Sequence, residues 1–188
     1  MTEQLIEWLR QRIEATGLFQ KTFGLAELVT ENGVTYPVIY ENNGELSPVH
    51  ELDIEKGISY YRINNITQGQ PTNRTGCLDL LFTYNIIQVA TLDKSGVIGD
   101  DNYSSHRLIE RMWNEYYNAT IPSKKNRPFE AQNIFVEPAK AEAGLNVLKT
   151  EYQNFGQTIN EHFSTSVVKL EIKVQVLISK HCFEQLIS

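Results

Sequence analysis

Two long stretches of alternating residues constrain the fold of this chain more than any other feature. In residues 78–90 the even positions are apolar apart from Gln88, and in residues 168–178 every even position is a branched aliphatic residue. Successive side chains of a strand point to opposite faces, so this period of two predicts two half-buried strands. At about 3.3 Å per residue they would span roughly 36–43 Å, far more than the usual strand. We therefore expect long strands that bend at bulges or project beyond the domain.

A hairpin is predicted near the N-terminus. Asn32-Gly33 separates two strand-like runs, Phe23–Thr30 and Val34–Tyr40, and Asn-Gly between apolar runs is a strong hairpin signal. Pro37 has no N–H, which places the second strand at an edge or at a bulge. Asn42-Asn43-Gly44 predicts the next turn. Two further strands are predicted, at Ile58–Ile63 and at Asn133–Glu137, the latter ending at Pro138.

Two segments have the spacing of amphipathic helices. Thr2 is the expected N-cap of the first and Gly17 its expected end, while Asp100 or Asp101 would cap the second. Their apolar stripes are Leu5, Ile6, Leu9 and Ile13 in the first, and Leu108, Ile109, Met112 and Tyr116 in the second. Strands clustered in runs, with two helices among them, predict a single α+β domain over residues 1–188. It would have a mostly antiparallel sheet and two helices packed on one face.

Two segments do not fit this pattern. Asn65–Gly76, NITQGQPTNRTG, is almost entirely polar, Gly or Pro, which predicts a mobile loop or an arm. Residues 139–162 are interpreted as an insertion of uncertain conformation. Over Ala139–Ile159 a helix and an irregular segment are both compatible with the sequence, because Gly144 and Gly156 interrupt a helix-favouring composition.

The charge balance argues against tight binding of nucleic acid. The 188 residues carry a formal net charge of −6, and the densest basic patch is Lys124, Lys125 and Arg127. Duplex-binding proteins instead show a basic stripe that neutralises phosphates. No signal-peptide run or membrane-spanning stretch is visible, so we expect a protein of the cytosol. Cys77 and Cys182 are then expected to be free thiols.

The sequence contains none of the common catalytic motifs, namely the P-loop, G-x-G-x-x-G, G-x-S-x-G and H-E-x-x-H. We therefore predict no catalytic residues, no cofactor and no metal. His50 with Glu51, Asp53 and Glu55 has the oxygen ligands of a calcium site, but without its glycine-punctuated pattern a solvated acidic loop is favoured. His181 beside Cys182 resembles a base and a nucleophile without a third, orienting group.

The order of the elements resembles that of tail terminators and head–tail joining (neck ring, connector) proteins of tailed bacteriophages. The resemblance rests on a helix at Glu3–Ala15 before a strand pair, on the strand Leu78–Ala90 followed by a helix at Tyr103–Asn118, and on the long final strand Val168–Ile178. This family has no short diagnostic motif. The chain is longer than typical members, with the extra length near residues 45–76 and 139–162.

This resemblance implies a non-enzymatic virion protein that is assembled in the host cytoplasm. It would form a homo-oligomeric ring with neighbouring neck or tail proteins, around a channel through which DNA passes without specific binding. The loop 65–76 would then be an inter-subunit arm. The implied interface residues are Asn65, Thr67, Gln68, Gln70, Asn73 and Arg74.

Two other classes of function remain open on the sequence. A monomeric module that binds a small ligand or a peptide would use a sheet-lined pocket, for which Tyr60, Tyr84 and Trp113 are natural lining residues. An enzyme would need a buried cluster drawn from four further residues, namely His50, His106, Glu110 and Asp79.

Overall fold

The two alternating stretches form the two longest strands of the structure, a computed structural model that describes residues 1–40, 45–49, 57–74, 77–92, 105–119, 133–143, 145–153 and 166–179. The elements are α1 (Thr2–Ala15), β1 (Lys21–Glu31), β2 (Val34–Tyr40), β3 (Leu46–Pro48), β4 (Ile58–Gln68), β5 (Thr72–Arg74), β6 (Cys77–Leu92), α2 (Ser105–Ala119), β7 (Asn133–Ala143), α3 (Leu145–Glu151) and β8 (Ser166–Ser179). The sheet order is β3-β2-β1-β4-β6-β8-β7, and β5 pairs with β6. Among the described strands, only β1 and β4 pair in parallel. The predicted α+β class with a mostly antiparallel sheet is confirmed.

Strands β6 and β8 form the centre of the sheet. They pair without a register shift from Asp79↔Ser179 to Leu92↔Ser166, so their even-numbered residues lie on one face. On β8 every even position from 168 to 178 is at most 3% exposed, as the alternation predicted. Helices α1 and α2 cover this face, where all four residues of the α1 stripe are buried. The prediction of two helices on one face is therefore confirmed.

The opposite face of the sheet carries a second, smaller core. Phe23, Tyr60 and Val89 are buried there, and they pack with Val147 of α3 and with Tyr152 just after it. The sheet is thus buried on both faces at the beginning of β4, over Ile58–Tyr61, and in the second half of β6. Helix α3 lies in the segment for which the sequence left helix and irregular structure open, and residues 139–143 belong to β7.

The predicted hairpin is present. Glu31 pairs with Val34, and both turn residues, Asn32 and Gly33, have positive φ angles of 52° and 79°. Positive φ at both positions is the signature of the two-residue turn that matches strand twist.

Pro37 lies at an open edge of β2, as its missing N–H required. The Thr35 amide two residues earlier donates to the Gln153 carbonyl oxygen at 2.8 Å, so it points away from β1. By the period of two, the Pro37 nitrogen points the same way. Strand β3 pairs only with Val38–Tyr40, so it needs no donor at Pro37.

Replacing Gly33 with alanine tests the turn. Because Gly33 has a φ of +79°, the new Cβ should cost about 1–2 kcal/mol of unfolding free energy, measured by urea denaturation. Gly24 is the matched control, since a Cβ there meets nothing within 4 Å and its φ is not positive. Gly24→Ala should leave stability unchanged or slightly higher. Equal losses in the two variants would contradict the assigned turn.

Three local predictions are wrong. Thr2 is the first residue of α1 rather than its cap, and the N-cap Met1 makes no side-chain capping bond. Strand β7 does not end at Pro138 but continues to Ala143 through a register shift between Pro138 and Lys140, which its position at the sheet edge permits.

Most of the predicted loop 65–76 is strand. Residues 65–68 complete β4 and Thr72–Arg74 form β5, because β6 offers both a pairing partner.

Several predicted features lie outside the described residues. They are the turn Asn42-Asn43-Gly44, the acidic stretch 50–55, the caps Asp100 and Asp101, the basic patch 124–127, residues 154–162, and the pair His181-Cys182. In the described part of the chain, no helix combines the length and the apolar character needed to cross a membrane.

Candidate functional site

Strand β4 has an open edge because β1 leaves it partway. The parallel pairs run from Lys21↔Ile58 to Leu25↔Tyr61, with a register shift between them. From Ala26 onward β1 pairs with β2. Beyond Tyr61, β4 keeps β6 on one side, and no described strand lies on the other.

The open part of β4 is solvent-exposed on both faces. Every residue from Asn64 to Pro71 is exposed, including Ile66 at 45%. After a register shift between Ile63 and Asn65, four residues pair regularly with β6, ending at Gln68↔Phe82. The outward N–H and C=O groups of these four residues bond to nothing in the described chain. Such a row of backbone groups is a template for pairing with another chain.

The predicted interface residues lie together at this end of the sheet. Asn65, Thr67 and Gln68 are exposed on β4, and Gln70 is exposed in the connection to β5. Asn73 and Arg74 lie on β5, where their backbones pair with Leu78 and Cys77 of β6. The structure thus gathers all six residues along β4 and β5, although in strands rather than in the predicted loop.

The side chains of the open β4 residues Asn65–Gln68 are uncharged. The Asn65 side-chain oxygen accepts a hydrogen bond from Nδ2 of Asn85 on β6. The connection between β4 and β5 is held to β6 by the Gly69 amide, which donates to the Leu81 carbonyl oxygen at 2.8 Å. Ile66 pairs with Tyr84, an even-numbered residue of β6, so its side chain lies on the face that α1 and α2 cover. Sequence reasoning missed Ile66, although Ile66-Thr67 is a β-branched pair of the kind that favours strands.

The metal and enzymatic sites considered from the sequence can be compared with the described residues. Among them there is no group of three His, Cys, Asp or Glu side chains that could hold a metal ion. Of the predicted enzymatic cluster, Asp79 is buried on the odd-numbered face of β6, while Glu110 is exposed on α2, which packs on the other face. These two carboxylates therefore do not meet.

The α1/α2 face contains a buried polar network. The Tyr61 hydroxyl donates to the Leu9 carbonyl oxygen at 3.2 Å and lies 3.0 Å from the Tyr116 hydroxyl. Tyr116 in turn donates to Oε1 of Gln88, whose Nε2 donates to the Ser59 hydroxyl at 3.2 Å. Burial raises the pKa of Tyr61 and of Tyr116 well above the ordinary range. All four side chains are inaccessible, so the network joins two helices to the sheet and offers no site for a substrate.

A second buried network fixes α3 to the opposite face. The fully buried Glu151 accepts from Nη2 of Arg62 at 2.5 Å and from the Tyr60 hydroxyl at 3.3 Å. Burial is the largest cause that raises the pKa of Tyr60, and the neighbouring Tyr152 and Glu151 raise this pKa further. Arg62 keeps a side-chain exposure of 20%. Sequence reasoning missed this pair because 89 residues separate its members.

The predicted ligand pocket is not formed by its three aromatic residues. Tyr60 is buried against α3, whereas Tyr84 and Trp113 belong to the core under α1 and α2. A groove of about 370 Å³ lies elsewhere, between the end of α1 and the second half of α2, and is lined by Thr16, Leu18, Arg111, Asn114 and Glu115. This groove lacks the apolar lining that is typical of ligand pockets.

Comparison of the sequence with models of known protein families and with curated proteins finds no match. The case for a function therefore depends on the residues and on their geometry.

Proposed function

We propose that this chain is a non-enzymatic virion assembly protein of a tailed bacteriophage, one subunit of a homo-oligomeric ring in the neck or tail. The observation that carries the proposal is the open edge of β4, where consecutive exposed residues present backbone groups that no described residue pairs. Strand addition at such an edge supplies a row of backbone hydrogen bonds between chains. The partners are copies of this chain and the adjoining neck or tail proteins.

Two further features support the proposal. Helix α1, the β1–β2 hairpin, β6, α2 and β8 follow one another in the order that the resemblance to tail terminators and head–tail joining proteins implies. The formal net charge of −6 suits a channel wall, because DNA passing through is repelled rather than bound. The protein would be assembled in the host cytoplasm and retained in the virion, without a cofactor.

The absolute mass in solution tests the proposal. Light scattering across a series of protein concentrations should give a discrete assembly of about six or twelve subunits, since rings close by symmetry. A mass that stays at 21.6 kDa at every concentration, alone and mixed with a lysate of phage-infected cells, would contradict the ring.

The same open edge favours one alternative, a monomeric module that captures an extended peptide by strand addition. The two functions differ in stoichiometry. A monomer that binds one peptide along β4 would support the alternative and exclude the ring.

A further inference from the structure

We infer that a strand of a second copy of this chain adds to the open edge of β4, at Asn65–Gln68. The inference rests on the proposed ring and names the surface through which its subunits meet.

The other edges of the sheet carry features that discourage pairing. The side of β1 that faces β4 is itself unpaired by any described strand over Ala26–Glu31, but this stretch contains Glu27 and Glu31. Strand β3 is only three residues long and ends at Pro48, and the uncovered part of β2 contains Pro37. Strand β7 has Pro138 with an adjacent register shift, and three charged residues, Glu137, Lys140 and Glu142. Short length, proline, bulges and charges are the devices by which natural proteins keep sheet edges from associating.

The open edge of β4 has no such device within it. From Asn65 to Gln68 the strand pairs regularly with β6, and it contains neither proline nor charge. Ile66, 45% exposed, adds an apolar side chain on the face of α1 and α2. An edge that no described strand covers, while the other described edges are protected, is expected when the edge is covered in the functional assembly.

The proposed ring makes a second copy the occupant, and the charge of this segment permits it. With a net charge of −6 on each chain, two copies repel each other at long range. Residues 63–73 contain no charged side chain, so contact here brings no carboxylates together. Asn65, Thr67 and Gln68 each carry both donors and acceptors, and they can therefore pair with side chains of their own type.

Replacing Ile66 with lysine tests the contact. Ile66 is exposed in the isolated chain, so the variant should fold with an unchanged thermal midpoint. Its self-association should weaken by roughly a hundredfold, because a lysine on an edge strand opposes pairing with a second strand. Tyr117→Lys is the matched control, since Tyr117 is 61% exposed on α2 and outside the edge, and it should assemble like the original chain. An Ile66→Lys variant that assembles normally would overturn the inference.

A photo-crosslinking residue at Gln68 tests the identity of the occupant. With p-benzoylphenylalanine at this position, irradiation should yield an adduct of two chains, and peptide mapping should identify the donor strand. An assembly that forms normally without this adduct would overturn the inference but leave the ring intact. A chain that is monomeric throughout would overturn both, and an adduct with a different protein would replace the second copy by that partner.

Discussion

Replacing Arg62 with methionine is expected to lower the free energy of unfolding by about 3–5 kcal/mol, the usual cost of breaking a buried ion pair from one side. The physical reason lies in Glu151, which is fully buried and has the Arg62 guanidinium at 2.5 Å as its counter-ion. Methionine fills similar space but leaves a buried carboxylate whose remaining hydrogen bond from the described residues comes from the Tyr60 hydroxyl. Urea denaturation monitored by tryptophan fluorescence gives the value.

A double variant separates the orphaned charge from lost packing. Arg62→Met with Glu151→Gln removes both charges and keeps an acceptor for Tyr60, so it should recover more than half of the loss. The control is Lys140→Met, which breaks an exposed ion pair with Glu142 and should leave the urea midpoint unchanged within error. A loss at Arg62 no larger than that of the control would show that the pair does not hold α3.

The long-range contacts of α3 explain why it was hard to predict. The segment is seven residues long, and its C-terminal end is fixed by contacts that no local pattern encodes. Glu151 bonds to β4, and the Gln153 carbonyl accepts from Thr35 of β2. Sequence periodicity reports which face a segment buries, but it does not report which distant residues meet there.

The elements that were predicted correctly are those whose burial differs between two faces. Strand β8 alternates because α1 and α2 cover only one of its faces, and α1 shows its stripe for the same reason. The Asn32-Gly33 turn was predictable because few residues adopt its positive φ angles.

The end of β4 was missed because both of its faces are exposed. Without a buried face, the residues from Asn65 to Gln68 have no apolar alternation, and their polarity is typical of a loop. They form a strand because β6 continues alongside them and pairs as far as Phe82. Their open edge depends on the point at which β1 turns away to β2, a tertiary property that no short pattern contains.

Alkaline pH is expected to unfold this protein steeply. Tyr60, Tyr61, Tyr116 and Tyr152 are buried, and burial is the largest cause that raises the pKa of each above its ordinary value near 10. Below about pH 10 both states hold these protons, so stability does not depend on them. Above that pH the unfolded chain ionises while the folded chain stays protonated, and stability falls as the pH rises. Each group contributes about 1.4 kcal/mol per pH unit, so four contribute about 5 kcal/mol per unit.

Urea midpoints at pH 8, 9, 10 and 11 measure this slope, and absorbance at 295 nm reports tyrosinate in the same samples. We expect a flat profile to about pH 10, a steep loss above it, and ionisation of the buried tyrosines only as the chain unfolds. Tyr61→Phe with Tyr116→Phe removes two of the four groups, so the slope above pH 10 should fall by about half whatever the baseline stability of the variant. A midpoint that stays constant to pH 11, or an equal slope in the double variant, would show that these hydroxyls ionise in the folded state as readily as in the unfolded chain.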